Sequence, residues 1–412
     1  MLILKKIHLY GLLLIVPALS TGPFMPDLIV SITGIIFIII TIKQKEFKYY
    51  KSKVFVLLSI FNIYLIINSL LSENIILSLE SSLFYFRFIF LILSIWYAIE
   101  NYNKFIKYFT NIFIITFALI TFDAYFQFFT GQNLLGYSYN DRLSGIFNDE
   151  LILGSYLSRL LPLLFALLIL SNKNFSIFLG IIFIFLIDVV IYLSGERLAF
   201  FNLILFTLII FILVEKWKFV RLISFVISLL IIFIISINSN VIYDRMILKT
   251  FKQITEKNQT FAEKNQTSVI AENKYRIFSI EHENTYLTAY KIFKDNVFFG
   301  VGPKNFREYC KKEKYNYKFG CRNHPHNMYL QLLSETGIVG FIPVLILFIY
   351  LNLIYFKKFL NFFITNKWHI SDYKICVIAS IYISIFPISP SGNIFNNWLS
   401  IIYFLPIGFL FV

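Results

Sequence analysis

Asn323-His324-Pro325-His326-Asn327-Met328-Tyr329-Leu330-Gln331-Leu332-Leu333-Ser334-Glu335-Thr336-Gly337-Ile338-Val339-Gly340 is a polar, histidine-bearing turn fused to the start of an apolar helix. The apolar run continues through Phe341-Ile342-Pro343-Val344-Leu345-Ile346-Leu347-Phe348 to about residue 354. That is more than the roughly 20 residues a helix needs to cross about 30 Å of hydrocarbon. Two imidazoles where a long extra-membrane loop re-enters a bilayer serve packing poorly. They suit proton transfer at the membrane surface.

Outward from this stretch the same texture recurs. Apolar runs cover about 7–22, 26–42, 54–71, 80–98, 109–129, 151–171, 176–193, 198–214, 219–237, 327–354, 373–388 and 396–412. Hydrophobic residues make up 58% of the 412-residue chain and charged residues 15%, whereas soluble domains stay near half apolar. Backbone groups in hydrocarbon must be satisfied within the chain, so helices are expected. The expectation is an all-α polytopic membrane protein with about 12 transmembrane helices. The first run, behind Lys5 and Lys6, could be a signal peptide; a retained span is expected, because no clean cleavage site follows.

Charge sets the orientation. Lys43, Lys45, Lys48, Lys51 and Lys53, then Lys104 and Lys107, Lys173, then Lys216, Lys218 and Arg221, and last Lys357, Lys358, Lys367 and Lys374 fall in alternate loops. The intervening loops hold Asp27, Glu73 and Asp149, with Arg142 as the main cation. Lys and Arg mark the cytoplasmic side, so both termini are expected there. The net charge of +14 reflects this bias and anionic membrane lipids, and calls for no nucleic acid. Three regions follow: helices one to nine over 1–237, a large external loop over 238–326, and helices ten to twelve over 327–412. The 130–150 loop and the Ser194–Arg197 and Pro390–Asn397 turns share the loop's periplasmic or extracellular face.

Cys310 and Cys321 fall in that loop, and Cys376 in a span. An external compartment permits a Cys310–Cys321 disulfide, worth about 2–3 kcal/mol by loop closure; two unpaired thiols are the alternative. Residues 250–275 read as a polar surface segment. Residues 284–294 space Tyr286, Ala289, Tyr290 and Phe293 at helical intervals, as an amphipathic helix would. Phe299-Gly300-Val301-Gly302-Pro303 breaks it, and a second short helix is expected from Asn305 to Lys314. The glycines are not followed by the Gly-Lys-Ser/Thr of a nucleotide cradle, which argues against ATP hydrolysis.

His324 and His326, two apart, would point the same way in an extended segment. They could bind a metal, although no third ligand stands nearby. They could cap the following helix. Or His326 could be a general base, oriented by Asn327. Arg197, Arg142, Arg159 and Arg87 all lie on the external half, and guanidinium is the group of choice for pyrophosphate. Each has a structural alternative: Arg197 with Glu196, and Arg87 with Glu80. Asp149 and Glu150 would neutralise an arginine, bind sugar hydroxyls or occupy a helix N-terminus.

His326-Asn327, nine residues, then Gly337-Ile338-Val339-Gly340 resembles the signature of the O-antigen ligase and O-antigen polymerase-like membrane proteins. Phe341 stands where the ligase pattern usually has Thr or Val. Gly300-Val301-Gly302-Pro303-Lys304-Asn305-Phe306, Ser194-Gly195-Glu196-Arg197 and Arg142-Leu143-Ser144-Gly145-Ile146-Phe147 are similar to further stretches of that family. The resemblance implies a GT-C-like glycosyltransferase of the bacterial inner membrane, with no metal or other cofactor. Its donor would be a glycan on undecaprenyl pyrophosphate, and its acceptor lipid A–core or another lipid-linked repeat unit. It implies His326 as the catalytic histidine and Arg197 as a pyrophosphate ligand. For the family's second arginine, in the large loop, the sequence offers Glu281-His282-Glu283, with Arg276 close by and His282 as a further candidate. A polysaccharide transporter or flippase, or a membrane scaffold, are the rival classes. Transporters tend towards broken helices at the midplane, whereas here the polar groups gather near one face.

Overall fold

The computed structural model describes residues 1–139, 142–171, 176–255, 278–315, 317–361 and 370–412. Helices dominate, and among the described residues the only β feature is an isolated bridge between Gln132 and Ser138. The first half carries α1 (Leu2–Ala18), α2 (Phe24–Gln44), α3 (Lys53–Leu70), α4 (Ile75–Ser82), α5 (Phe86–Asn101), α6 (Phe105–Thr130) and α7 (Leu153–Leu170). Next come α8 (Ile177–Leu193), α9 (Arg197–Leu213), α10 (Lys218–Asn238), α11 (Asn240–Tyr243) and α12 (Lys249–Thr255). The chain ends with α13 (Ile280–Asp295), α14 (Phe306–Tyr309), α15 (Met328–Leu360), α16 (Asp372–Ser384) and α17 (Asn397–Gly408).

This is an all-α polytopic membrane protein. Among the described residues, eight helical stretches are long and apolar enough to cross a bilayer. Expected spans at 176–193, 198–214 and 396–412 coincide with shorter apolar helices, Ile177–Leu193, Arg197–Leu213 and Asn397–Phe411. The span expected at 373–388 is the 13-residue α16. Short inner helices are possible because protein, rather than lipid, surrounds them: every residue of α7 from Tyr156 to Ile169 is buried, as are nearly all of α16. Outer helices invert the usual pattern. On α10, Phe219, Leu230, Phe233 and Ile237 are exposed, as lipid-facing side chains should be.

Arg221 corrects the charge reading. It is not a cytoplasmic loop cation but a residue of α10, 1% exposed. Its Nη1 donates to Asp188 Oδ2 of α8 at 2.6 Å, and its Nε to Thr207 Oγ1 of α9 at 3.1 Å. Ser228 Oγ also donates to Asp188 Oδ2, at 3.1 Å. A charge this deep persists because it is paired, and the pair pins three helices together.

The extra-membrane segment differs in detail from expectation. The amphipathic helix runs over Ile280–Asp295, N-capped by Ser279, whose side chain accepts from His282 N. The Asn305–Lys314 helix is reduced to the four residues of α14 and a 3-10 turn at Glu313–Tyr315. Cys310 ends α14, bonded to Cys321 with Cα atoms 5.0 Å apart, and the chain turns there. Lys249–Thr255 is helical. The rest of the expected polar segment, Arg276, Lys173 and Lys367 lie outside the described residues.

Helix α15 is broken. Gly337 has φ 62° and ψ −168°, a backbone that side-chain-bearing residues avoid. The freed amides of Ile338 and Val339 donate to the carbonyls of Val297 (2.9 Å) and Phe298 (3.4 Å). In return Val301 N and Gly302 N donate to Ser334 O (3.0 Å) and Glu335 O (2.7 Å). A Cβ on Gly337 would lie 2.2 Å from Phe298 O. The two glycine-bearing motifs are therefore one crossing of backbones. From Ile338 to Leu360, α15 alone rises about 34 Å, enough to span hydrocarbon. Met328–Thr336 is then a separate arm, which carries His326 at its head.

Candidate functional site

Asn327 N-caps α15: its Oδ1 accepts from Tyr329 N (3.0 Å) and Leu330 N (3.1 Å). Its Nδ2 donates to Pro387 O at 2.8 Å, tying the arm to the segment after α16. Ser391 N donates to His326 O at 2.8 Å. His326 is thus held by its backbone and its neighbour, which leaves the imidazole for other work. Capping belongs to Asn327.

His326 is not extended; its φ is 57°. The expectation of an extended pair fails in form, yet the rings still meet. His324 and His326 have centroids 4.1 Å apart. His282, at the start of α13, brings a third ring 5.4 Å from His326, with its Nδ1 2.7 Å from Ser279 Oγ. Burial, then the neighbouring His282 and Arg322, push the His326 pKa down to about 4. Burial, then His326, push that of His324 to about 3. His282 is lowered too, chiefly by burial. All three rings are neutral at neutral pH. Arg322 pairs with Glu281 at 2.7 Å on the exposed rim. Among the described residues, no three His, Cys, Asp or Glu side chains converge as metal ligands.

The second assembly surrounds the Ser194–Arg197 turn. Glu196 caps α7: Oε1 accepts from Gly154 N at 2.8 Å, and Oε2 from Ser155 N at 3.2 Å and Ser155 Oγ at 2.6 Å. An acid at a helix N-terminus is electrostatically favoured. Glu196 also faces Arg142 Nη2 at 3.7 Å. Arg142 donates from Nε to Ser194 O (3.3 Å) and from Nη2 to Leu151 O (3.1 Å). Arg197 is exposed at the head of α9.

Arg245 escaped the sequence reading. It sits in a π-helical turn, Asp244–Leu248, and donates from Nε to Gly195 O at 3.0 Å. Gly195 has φ 67°, and a Cβ there would lie 2.7 Å from Arg245 Nε. Only glycine lets the guanidinium cross this turn. Arg245 lies within electrostatic range of both Arg197 and Arg142, so three guanidiniums gather where one was expected. The only signal available was an arginine following a span into the large loop.

The remaining candidates fall elsewhere. Arg87 Nε donates to Asp27 Oδ1 at 2.6 Å, which is not the Glu80 pairing considered above. Arg159 is 2% exposed inside α7, with its guanidinium 5.9 Å from the Tyr403 ring and its Nε and Nη1 unpartnered.

The two assemblies share one end of the bundle. Phe201, one turn beyond Arg197, packs on Phe386 at 5.6 Å between centroids. The next residue, Pro387, accepts the Asn327 bond beside His326. Against known families, residues 179–345 match the family described as O-antigen ligase. This segment is O-antigen ligase-like. The ligase-like stretch holds Arg197, Arg245, the three histidines and both glycine motifs, but not Arg142. No curated protein matches the chain.

Proposed function

We propose that this chain is a metal-independent glycosyltransferase that moves a glycan from undecaprenyl pyrophosphate to a lipid-borne acceptor, lipid A–core, at the periplasmic face of a bacterial inner membrane. The architecture would be GT-C-like, with twelve spans and cytoplasmic termini. An O-antigen polymerase would use the same parts with a lipid-linked repeat unit as acceptor. The observation that carries the reading is the neutral His326 imidazole, joined through Asn327, Pro387, Phe386 and Phe201 to a three-arginine turn, within an O-antigen ligase-like segment.

The chemistry balances as follows. His326 takes the proton of an acceptor hydroxyl as its oxygen bonds the anomeric carbon of the donor. The bond from that carbon to the pyrophosphate oxygen breaks, and the electron pair leaves with the lipid pyrophosphate. Arg197, Arg245 and Arg142 hold the growing charge, as preorganised donors do. A bound pyrophosphate also raises the His326 pKa from about 4 towards the working pH, strengthening the base only when the donor is present. Asn327 orients the arm. His324 and His282 wall the imidazole from water.

The test uses purified protein in lipid nanodiscs with an undecaprenyl-pyrophosphate glycan and lipid A–core. His326→Ala should abolish transfer while the protein stays folded. Wild-type turnover in that variant would remove the base and with it this reading.

A further inference from the structure

We propose that Lys304 and Arg307, beside His324, form a second anion subsite that holds a phosphate group of the acceptor, separate from the arginines of the Ser194–Arg197 turn. The inference rests on the function proposed above and deepens it: the acceptor would be a phosphorylated, lipid-bearing saccharide.

The platform for these cations is fixed on several sides. Ser78 Oγ of α4 donates to Pro303 O at 2.7 Å, and Asn305 Nδ2 donates to Ser78 Oγ at 2.7 Å. Phe306 N donates to Glu335 Oε1 at 3.1 Å. The Cys310–Cys321 disulfide draws α14 against the chain leading to His324. Lys304 itself is held at φ 61°, a conformation costing about 1–3 kcal/mol that persists only where its surroundings impose it.

The cations on this platform lack acceptors. Lys304 and Arg307 are half-buried and within electrostatic range of each other. Among the described residues, neither side chain makes a hydrogen bond. Arg307 Nε is buried without a partner, and so is His324 Nε2. The carboxylates that face them do not fill the gap. Both oxygens of Glu335 are occupied, Oε1 by Phe306 N and Oε2 by Gln331 Nε2 at 2.8 Å. Glu80 is exposed, and the nearby Arg87 is already paired with Asp27. Burying a charged donor without an acceptor is costly. A phosphate offers the oxygens that a guanidinium fork and an ammonium require.

The placement assigns the ligand. His324 bridges the cluster to the base: it senses Arg307, and its ring lies 4.1 Å from that of His326. An anion held here is tethered beside the imidazole that receives the acceptor's proton. The donor's pyrophosphate already has the Arg197 turn.

Binding of inorganic pyrophosphate to the full-length protein in phosphatidylcholine nanodiscs tests this, together with the KM of each substrate. Wild-type protein should bind two equivalents, and Lys304→Gly/Arg307→Gln one. Glycine keeps the left-handed backbone at 304, so the platform survives. The acceptor KM should rise about tenfold, the loss of one charge-assisted contact, with the donor KM unchanged. Arg307→Lys should retain the second equivalent, which separates charge from folding. A single wild-type equivalent that Arg197→Gln removes would overturn this subsite and leave the donor reading intact. Two equivalents that both survive Arg197→Gln/Arg245→Gln would defeat the donor reading and keep this one. Displacement of the second equivalent by phosphatidic acid doped into the disc would reassign the site to a bilayer phosphate and overturn the acceptor assignment.

Discussion

The ring of His282 stands 5.4 Å from that of His326, although 43 positions separate them. The contact places the N-terminus of α13 over the head of α15, so the extra-membrane helix roofs the candidate base. Burial under this roof, more than any charge, lowers the His326 pKa.

The pH dependence follows from that burial. His326 is a base whose folded pKa, about 4, lies below its model value of 6.5. It stays unprotonated above about pH 4 in the free protein, so the acid limb of kcat/KM should fall well below pH 6.5. The acid limb of kcat should lie higher, because a bound anion restores the proton affinity. Stability moves with the same sign. Below pH 6.5 the unfolded chain binds protons that the native state refuses, so stability declines from there towards pH 4. A kcat/KM limb at pH 6.5 or above would contradict the buried, neutral ring.

Arg245 should prove as necessary as Arg197. Each offers a fork to the pyrophosphate, and a charge-assisted hydrogen bond contributes about 1.5–3 kcal/mol. Arg245→Gln should therefore lower kcat/KM by roughly ten- to a hundredfold. Arg245→Lys should recover only part, because an ammonium cannot reproduce the fork. Steady-state kinetics with the lipid-linked donor decides it. Unchanged kinetics with a lowered melting temperature would assign Arg245 to holding the Gly195 turn.

The sequence made the helices legible because lipid demands long apolar runs. It also exposed the Asn327 cap and the Ser194–Arg197 turn, whose meaning is local. What it hid was pairing across distance. Arg221 reads as a boundary cation until Asp188, 33 positions earlier, is seen against it. Arg245 is one cation among many until Gly195 gives it a floor. The break in α15 hides inside an unbroken apolar pattern, because its cause is the backbone of Val297 to Gly302 crossing from another segment. Arg87 could be matched to the nearer Glu80 by sequence; the fold gives it Asp27 instead.

Gly337→Ala tests that crossing. The new Cβ would meet Phe298 O at 2.2 Å while the backbone holds φ 62°. Strain of this kind costs about 1–3 kcal/mol, and parting the strands also frees the amides of Ile338 and Val339. Thermal unfolding should shift downward. Transfer should fall further than stability alone accounts for, because the arm carrying His326 swings on this joint. Gly340→Ala, in a helical stretch, should disturb the arm less. Equal losses of activity in the two variants would detach the joint from catalysis.

The Asp188–Arg221 pair offers the last test, one of stability rather than chemistry. Both groups are buried, at 0% and 1% exposure of their side chains. Removing one partner strands the other charge, at a cost of about 3–5 kcal/mol in protein interiors. Asp188→Leu or Arg221→Met alone should therefore lower the unfolding temperature strongly. Together they remove both charges and should recover most of the loss, since apolar replacement of a whole buried pair is often neutral. Thr207 would lose the guanidinium that now donates to it, so recovery should stop short of complete. Transfer activity should follow stability throughout the series. A doubly substituted protein that is stable yet inactive would show that the pair does more than hold α8, α9 and α10 together.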